Sequence, residues 1–193
     1  MTVAPILPER PEWTVDDLGD LPKDLPYELI NGRLIVPSPT LLHQDMCVEL
    51  LLALRVNCPK EFQVGIDLSM RVDHRNEPRP DVVAVVRGNA DRSPLPVEDV
   101  VLAVEVVPTG WHFGDLYDKA NVYARAGVQT YWVVDPTHER IALTEYTLGG
   151  AAREYEQVTH TEDLFVTERP WKVSVDLPAL TARRNDLLAG ADE

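Results

Sequence analysis

Cysteine is nearly absent from the chain: Cys47 and Cys58 are the only two. They show no CxxC spacing, which removes a zinc cluster and a disulfide framework from the expectations. Long apolar runs are missing too; the longest are strand-sized and interrupted, so none is expected to span a bilayer. The opening MTVAPILPERPEW mixes prolines with glutamates ahead of any long apolar region, so no signal peptide is expected and the cytoplasm is the default compartment. Internal repeats, a P-loop, GxGxxG and Gly-x-Ser-x-Gly do not occur, and the five histidines lack metalloprotease spacing. Positive charge is short as well: 18 Lys and Arg against 32 Asp and Glu give a net charge of −14. An acidic protein binds a polyanion only where it concentrates its cations. Arg71, Arg75, Arg79 and Arg87 are the expected patch, around the strand that begins near Asp81.

What remains is enough for one substantial core. The 193 residues are 45% hydrophobic, which fits one domain. The expected division is an arm over 1–24, a single domain over 25–183 and a tail over 184–193. A helical turn is expected near Thr14 to Leu18. Asn31-Gly32 between short apolar runs predicts a hairpin over Tyr27–Ile30 and Arg33–Val36, because a type I′ turn needs positive φ at both central residues. Alternation puts Tyr27, Leu29, Leu34 and Val36 on one face and Glu28, Ile30, Arg33 and Ile35 on the other. Pro37 to Thr40 breaks the chain before a helix over 42–57, whose apolar face carries Cys47, Leu50, Leu51 and Leu54. Strands are predicted over 62–67, 68–72, 82–86 and 100–107, the last being the most apolar and central. A helix over 112–126 ends at Gly127. Strands over 131–134, 141–148, 153–158 and 171–175 and a short helix over 181–193 complete the chain.

Two of the apolar strands carry one carboxylate each, Asp81 in RPDVVAVV and Glu105 in VLAVEVV. Burying a charge costs several kcal/mol unless it is paired or bound to a cation. Two close carboxylates share a proton, take basic partners or hold a divalent metal, and carboxylate oxygens with several waters suit Mg²⁺. A nearby lysine adds a means of stabilising charge at a phosphodiester. On spacing alone the alternative stands beside this: Asp81 as a turn residue after Pro80, and Glu105 as an edge-strand charge. On the 112–126 helix, Leu116, Ala120 and Tyr123 form the inward stripe, and Lys119 lies about 60° to one side. The plain reading of Lys119 is an exposed i,i+4 pair with Asp115, and of Glu28 a strand charge paired with Arg33.

YELINGR, HQ, RPDVVAVV, VEVVPTG, DLYDK with a tyrosine four residues after its lysine, and AGVQTYWVVDP follow one another in this order. Over roughly Leu25 to Leu180 this series resembles the Uma-type restriction endonuclease family, within the PD-(D/E)xK nuclease superfamily. The chain departs from the family pattern at Pro108-Thr109-Gly110-Trp111, where a Ser-Pro-Ser-Thr-like loop is common, and at Thr130, where an acid is common. The resemblance implies an α/β (α+β) restriction-endonuclease-like fold, a mixed sheet flanked by helices with an N-terminal hairpin. It implies Mg²⁺ (or Mn²⁺) held by Asp81, Glu105 and the backbone carbonyl of Val106. Val107 fills the usual lysine position, and Lys119 on the following helix would take its role. Glu28 is an outer catalytic candidate, with His43, Gln44, Asp115 and Tyr123 as accessory residues. DNA is the implied substrate and a homodimer one possible assembly; no membrane partner is expected. Two other functions fit the same residues, a non-catalytic binding or regulatory module and a metal phosphoesterase acting on small nucleotides.

Overall fold

The structure, a computed structural model, describes residues 10–23, 25–88, 91–108, 113–150 and 152–189, with the backbone alone for 113–115. The first half forms β1 (Glu28–Ile30), β2 (Arg33–Ile35), α1 (Leu41–Val56), β3 (Phe62–Ile66), β4 (Met70–Arg71), β5 (Val82–Val86), β6 (Leu95–Pro96) and β7 (Val100–Val106). The second half forms α2 (Phe113–Ala126), β8 (Thr130–Asp135), β9 (Ala142–Leu148), β10 (Tyr155–Thr161), β11 (Leu164–Thr167), β12 (Val173–Asp176) and α3 (Leu177–Ala189).

Six strands make the central sheet in the order β10-β9-β8-β7-β5-β3. β7 and β8 run parallel, joined by the α2 crossover, and the other neighbours pair antiparallel. This is the mixed sheet with flanking helices that the family resemblance implies. β7 sits inside the sheet because both its faces are apolar. Leu102, Val104 and Val106 pack with Met46, Leu50 and Leu54 of α1 and with Val173 and Val175 of β12. Ala103, of opposite parity, packs with Tyr123 of α2 and Tyr131 of β8. Glu105 shares that second parity, and so faces α2.

The hairpin turns at Asn31 (φ 51°) and Gly32 (φ 78°), as a type I′ turn requires. A Cβ on Gly32 would also lie 2.8 Å from the Arg75 guanidinium. Leu29 joins Trp13, Leu18 and Leu21 in a small core of its own, so the N-terminal segment packs on the hairpin from Trp13 onward. Leu29 and Glu77 exchange backbone hydrogen bonds, which fixes the hairpin against the main body and turns Glu28 inward.

Several sequence expectations need correction. The second extended stretch shrinks to the two residues of β4, paired in parallel with the two-residue β6. β11 was not expected; it pairs with β12 and buries Phe165 against Trp132. α3 starts four residues early, since Pro178 occupies its first turn, where a missing N–H costs nothing. The expected arginine patch is not free. Arg71 pairs with Glu77, Arg75 with Glu12 and Arg79 with Asp67, which leaves Arg87 as the one of the four without an ion pair among the described residues.

Arg184, at the start of the expected C-terminal tail, is instead 5% exposed. Its guanidinium donates to the carbonyls of Pro136, His138 and Glu139 at 2.6–2.8 Å, tying α3 to the β8–β9 connection. Arg184→Met strips these acceptors of their donor. The expected loss is about 1–2 kcal/mol, the lower part of the range for a lost charge-assisted hydrogen bond, because Pro136 is half-buried and His138 and Glu139 are exposed, so water reaches the freed carbonyls; a urea midpoint unchanged from wild type would show that water replaces the guanidinium completely.

Candidate active site

The acidic strands meet two helices at one end of the sheet. β5 and β7 are neighbours, with Val82 opposite Val104, and Asp81 lies one residue beyond that last ladder pair. Its Oδ2 accepts the Val106 N–H at 2.7 Å, so the side chain closes the ladder where the strand stops. α1 approaches the same end from the opposite face. Thr40 caps it by accepting the His43 N–H, which sets His43 in the first turn, over the sheet. His43 Nε2 stands 3.3 Å from Asp81 Oδ2 and 3.2 Å from the Val106 carbonyl oxygen. One turn on, Cys47 Sγ is 3.7 Å from His43 Nδ1.

On the other face, Lys119 and Tyr123 project from α2 one turn apart. The Lys119 ammonium donates to Glu28 Oε1 and Glu105 Oε2, each at 2.9 Å. The Tyr123 hydroxyl donates to Glu105 Oε1 at 2.6 Å, so both oxygens of Glu105 are engaged. The exposures of Glu28, Glu105 and Lys119 are 6%, 2% and 3%. This overturns the surface-pair reading of Lys119. It also overturns the pairing of Glu28 with Arg33, whose guanidinium lies 3.8 Å from Asp118. Gln44 gives its backbone N–H to Thr40, and among the described residues its side chain makes no hydrogen bond. The side chain of Asp115 and the departure at Thr109 to Trp111 lie outside the described residues. Thr130, the other departure, is buried at the start of β8.

Burial dominates the electrostatics. It pushes Glu105 up to about 8, against the opposing pull of Lys119, and raises Glu28 in the same way. Burial disfavours the Lys119 ammonium, but Glu105, Glu28 and Asp81 together outweigh it and raise the lysine. His43 is held down by burial and lifted further by Asp81, for a net rise. The Cys47 thiol is raised by burial and by the carboxylates, and stays protonated. Glu28, Glu105 and His43 therefore bind protons more readily folded than unfolded. Each adds stability that is complete below its unfolded pKa and is lost as pH rises through the folded one. For Glu105 that window runs from 4.5 to about 8. In EDTA the urea midpoint is expected to fall across this window, and Glu105→Gln to flatten the fall. A midpoint that climbs through it would contradict the assignment.

The donor set suits a hard divalent cation: the Asp81 and Glu105 carboxylates and the Val106 carbonyl are all oxygens. His43 Nε2 already stands between two of these oxygens, in the position of a cationic or N–H partner. His43, Cys47 and Asp81 also form a mixed N, S, O group, with ligand atoms within 4.8 Å of one another. Cys47 was expected only as part of an apolar helix face. Its spacing of four residues from His43 was the signal that places it here.

A mixed sheet whose acidic strand ends meet a buried lysine defines a nuclease-like α+β class. The fold matches the crystal structure of a "putative nuclease belonging to DUF820" from Anabaena variabilis, with a TM-score of 0.68, over 89% of this chain and 98% of that chain, at 15% identity. The family model described as "Uma2: Putative restriction endonuclease" matches residues 15–182, and the chain belongs to that family. None of the curated proteins matches it. No helix of the described residues is long and apolar enough to cross a membrane.

Proposed function

We propose that the protein is a divalent-metal-dependent endonuclease that hydrolyses phosphodiester bonds in DNA. The observation that carries this reading is the buried Glu28–Lys119–Glu105 triad with Asp81 beside it. Burying these ions costs several kcal/mol each before pairing, and apolar side chains of similar size would often stabilise the fold better. With Asp81, Glu28 and Glu105 all ionised, three carboxylates face the one ammonium, so a further cation stabilises that state. Perturbed, buried titratable groups gathered in this way mark functional sites.

Asp81, Glu105 and the Val106 carbonyl are the groups that would hold Mg²⁺ or Mn²⁺. A bound metal supplies Lewis-acid stabilisation of the phosphate and a lowered pKa for its water. Lys119 contributes a fixed positive charge for the developing phosphorane, in a site where it need not reorganise. Glu28 positions Lys119, Tyr123 positions Glu105, and His43 positions Asp81. A cavity of about 740 Å³ opens beside the site, between α2 and the β8–β10 face. Val107 and Pro108, which directly follow Glu105-Val106, lie in its wall with Tyr117 and His138.

Incubation with plasmid, single-stranded DNA, RNA and dinucleotides under Mg²⁺ or Mn²⁺ tests the reading. Metal-dependent cutting of DNA that EDTA stops is the expected result. Cleavage of dinucleotides alone would turn the assignment to a small-nucleotide phosphoesterase. Folded protein that cuts nothing and binds no Mn²⁺ would make it a non-catalytic binding module.

A further inference from the structure

A second concave site lies at the opposite end of β5, on the β3 edge of the sheet. Four of the chain's 18 cations line it: Arg55 from α1, Lys60 from the α1–β3 connection, Arg87 directly after β5, and Arg92. Its volume is about 440 Å³. Phe62, Val64, Leu68, Val85 and Leu95 supply an apolar floor, and Asp99 is the one carboxylate in the wall. All four cations are exposed. Arg55 donates to the Val64 carbonyl, and among the described residues none of the four makes an ion pair with a carboxylate. Arg87 and Arg55 act together on the Cys58 thiol, offsetting in part the rise that burial causes. In a chain of net charge −14, where Arg71, Arg75 and Arg79 are each paired with an acid, this is a local excess of unpaired positive charge.

We propose that this pocket is a phosphate-binding subsite that holds one nucleotide unit. The chemistry is specific in two respects. Guanidinium forks match phosphate oxygens in bidentate geometry, and the apolar floor gives the sugar or base a dry surface that a bare inorganic anion would not use. The inference rests on the nuclease reading, for which it supplies the positioning contact that the acidic site lacks. The six residue steps from Asp81 to Arg87 span about 20 Å of strand at about 3.3 Å each. At about 3.4 Å of axial rise per phosphate of a duplex strand this is at most about six phosphates, so the pocket would hold a backbone phosphate several nucleotides from the scissile bond.

The test uses Arg87→Ala/Arg92→Ala, both exposed and outside the acidic site, with Arg140→Ala as a control cation already paired with Glu162 and Asp163. Affinity for labelled oligonucleotides, single-stranded and duplex, is measured in EDTA against salt concentration. The double variant should bind about tenfold more weakly and lower the log–log salt slope by about 1–2, the change expected for one or two lost phosphate contacts; the control should change neither. In a second arm adenosine 5′-monophosphate is titrated against adenosine. If the monophosphate binds wild type and not the double variant while oligonucleotide affinity is unchanged, the subsite stands and its source is a free nucleotide. If the double variant keeps wild-type affinity and slope for every probe, or wild type binds none, the subsite falls. Metal-dependent cleavage by the same preparations reports separately on the nuclease reading.

Discussion

Replacing Lys119 by methionine is expected to lower stability by about 3–5 kcal/mol, the usual cost of removing one partner from a buried ion pair. Methionine matches the length of the lysine stem but leaves Glu28 and Glu105 facing each other, both almost fully buried. The sequence alone points to a mild effect, because a lysine at the edge of a helix stripe reads as exposed. The structure reverses that expectation. Since a loss of this size brings Lys119→Met close to unfolding at ambient temperature, the informative variant is Glu28→Gln/Glu105→Gln/Lys119→Met. With no charge left in the triad, its stability should return to within about 2 kcal/mol of wild type, because a buried ion triad is often replaceable by neutral groups of similar volume. Nuclease activity should be absent from both variants. Urea denaturation separates the electrostatic account from simple packing: if the neutral triple variant is no more stable than Lys119→Met, lost packing, not unpaired charge, sets the cost.

The parts of the fold legible in the sequence are those written in local chemistry. Asn31-Gly32 demands positive φ, and the hairpin forms there. The β-branched run of β5 and the apolar run of β7 mark strands covered on both faces, and the carboxylates Asp81, just before the first, and Glu105, inside the second, stand out for that reason. Lys119 and Tyr123 share a helix face by their spacing. Missing from the sequence was what covers each face. Helix periodicity gives the angle of Lys119 but not the hairpin that lies over it, because Glu28 is brought in by the Leu29–Glu77 backbone exchange, a contact between distant segments. The same limit explains the arginines. Arg71, Arg75 and Arg79 cluster in sequence, yet each meets an acid supplied by a turn or by the N-terminal segment. The unpaired cations gather instead from α1, the loop after it and the chain after β5. β11 is short, and its exposed Leu164 and Val166 alternate with buried Phe165 and Thr167, a pattern that four residues carry weakly.

Asp81→Asn should abolish stabilisation by Mn²⁺ and lower metal-dependent cleavage by about a hundred- to a thousandfold. Metal-ion catalysis supplies several kcal/mol of transition-state charge stabilisation, and about 1.4 kcal/mol corresponds to each factor of ten in rate. The metal-free fold should tolerate the change. The asparagine carbonyl oxygen still accepts the Val106 N–H that Asp81 Oδ2 takes at 2.7 Å. Removing the charge also relieves Glu105 and Glu28, since the Asp81 carboxylate helps to hold both of them up. The opposing contribution comes from His43, 3.3 Å away, which loses a charged partner when it is protonated. Measuring on the alkaline side of the raised His43 pKa removes that contribution, because the imidazole is then neutral. There the variant in EDTA should unfold at or above the wild-type temperature. Wild type alone should gain from Mn²⁺, by about 2.7 kcal/mol at a metal concentration a hundred times its dissociation constant. A variant that melts far below wild type in EDTA, with the Mn²⁺ response intact, would make Asp81 a ladder-closing residue and move the metal to other donors.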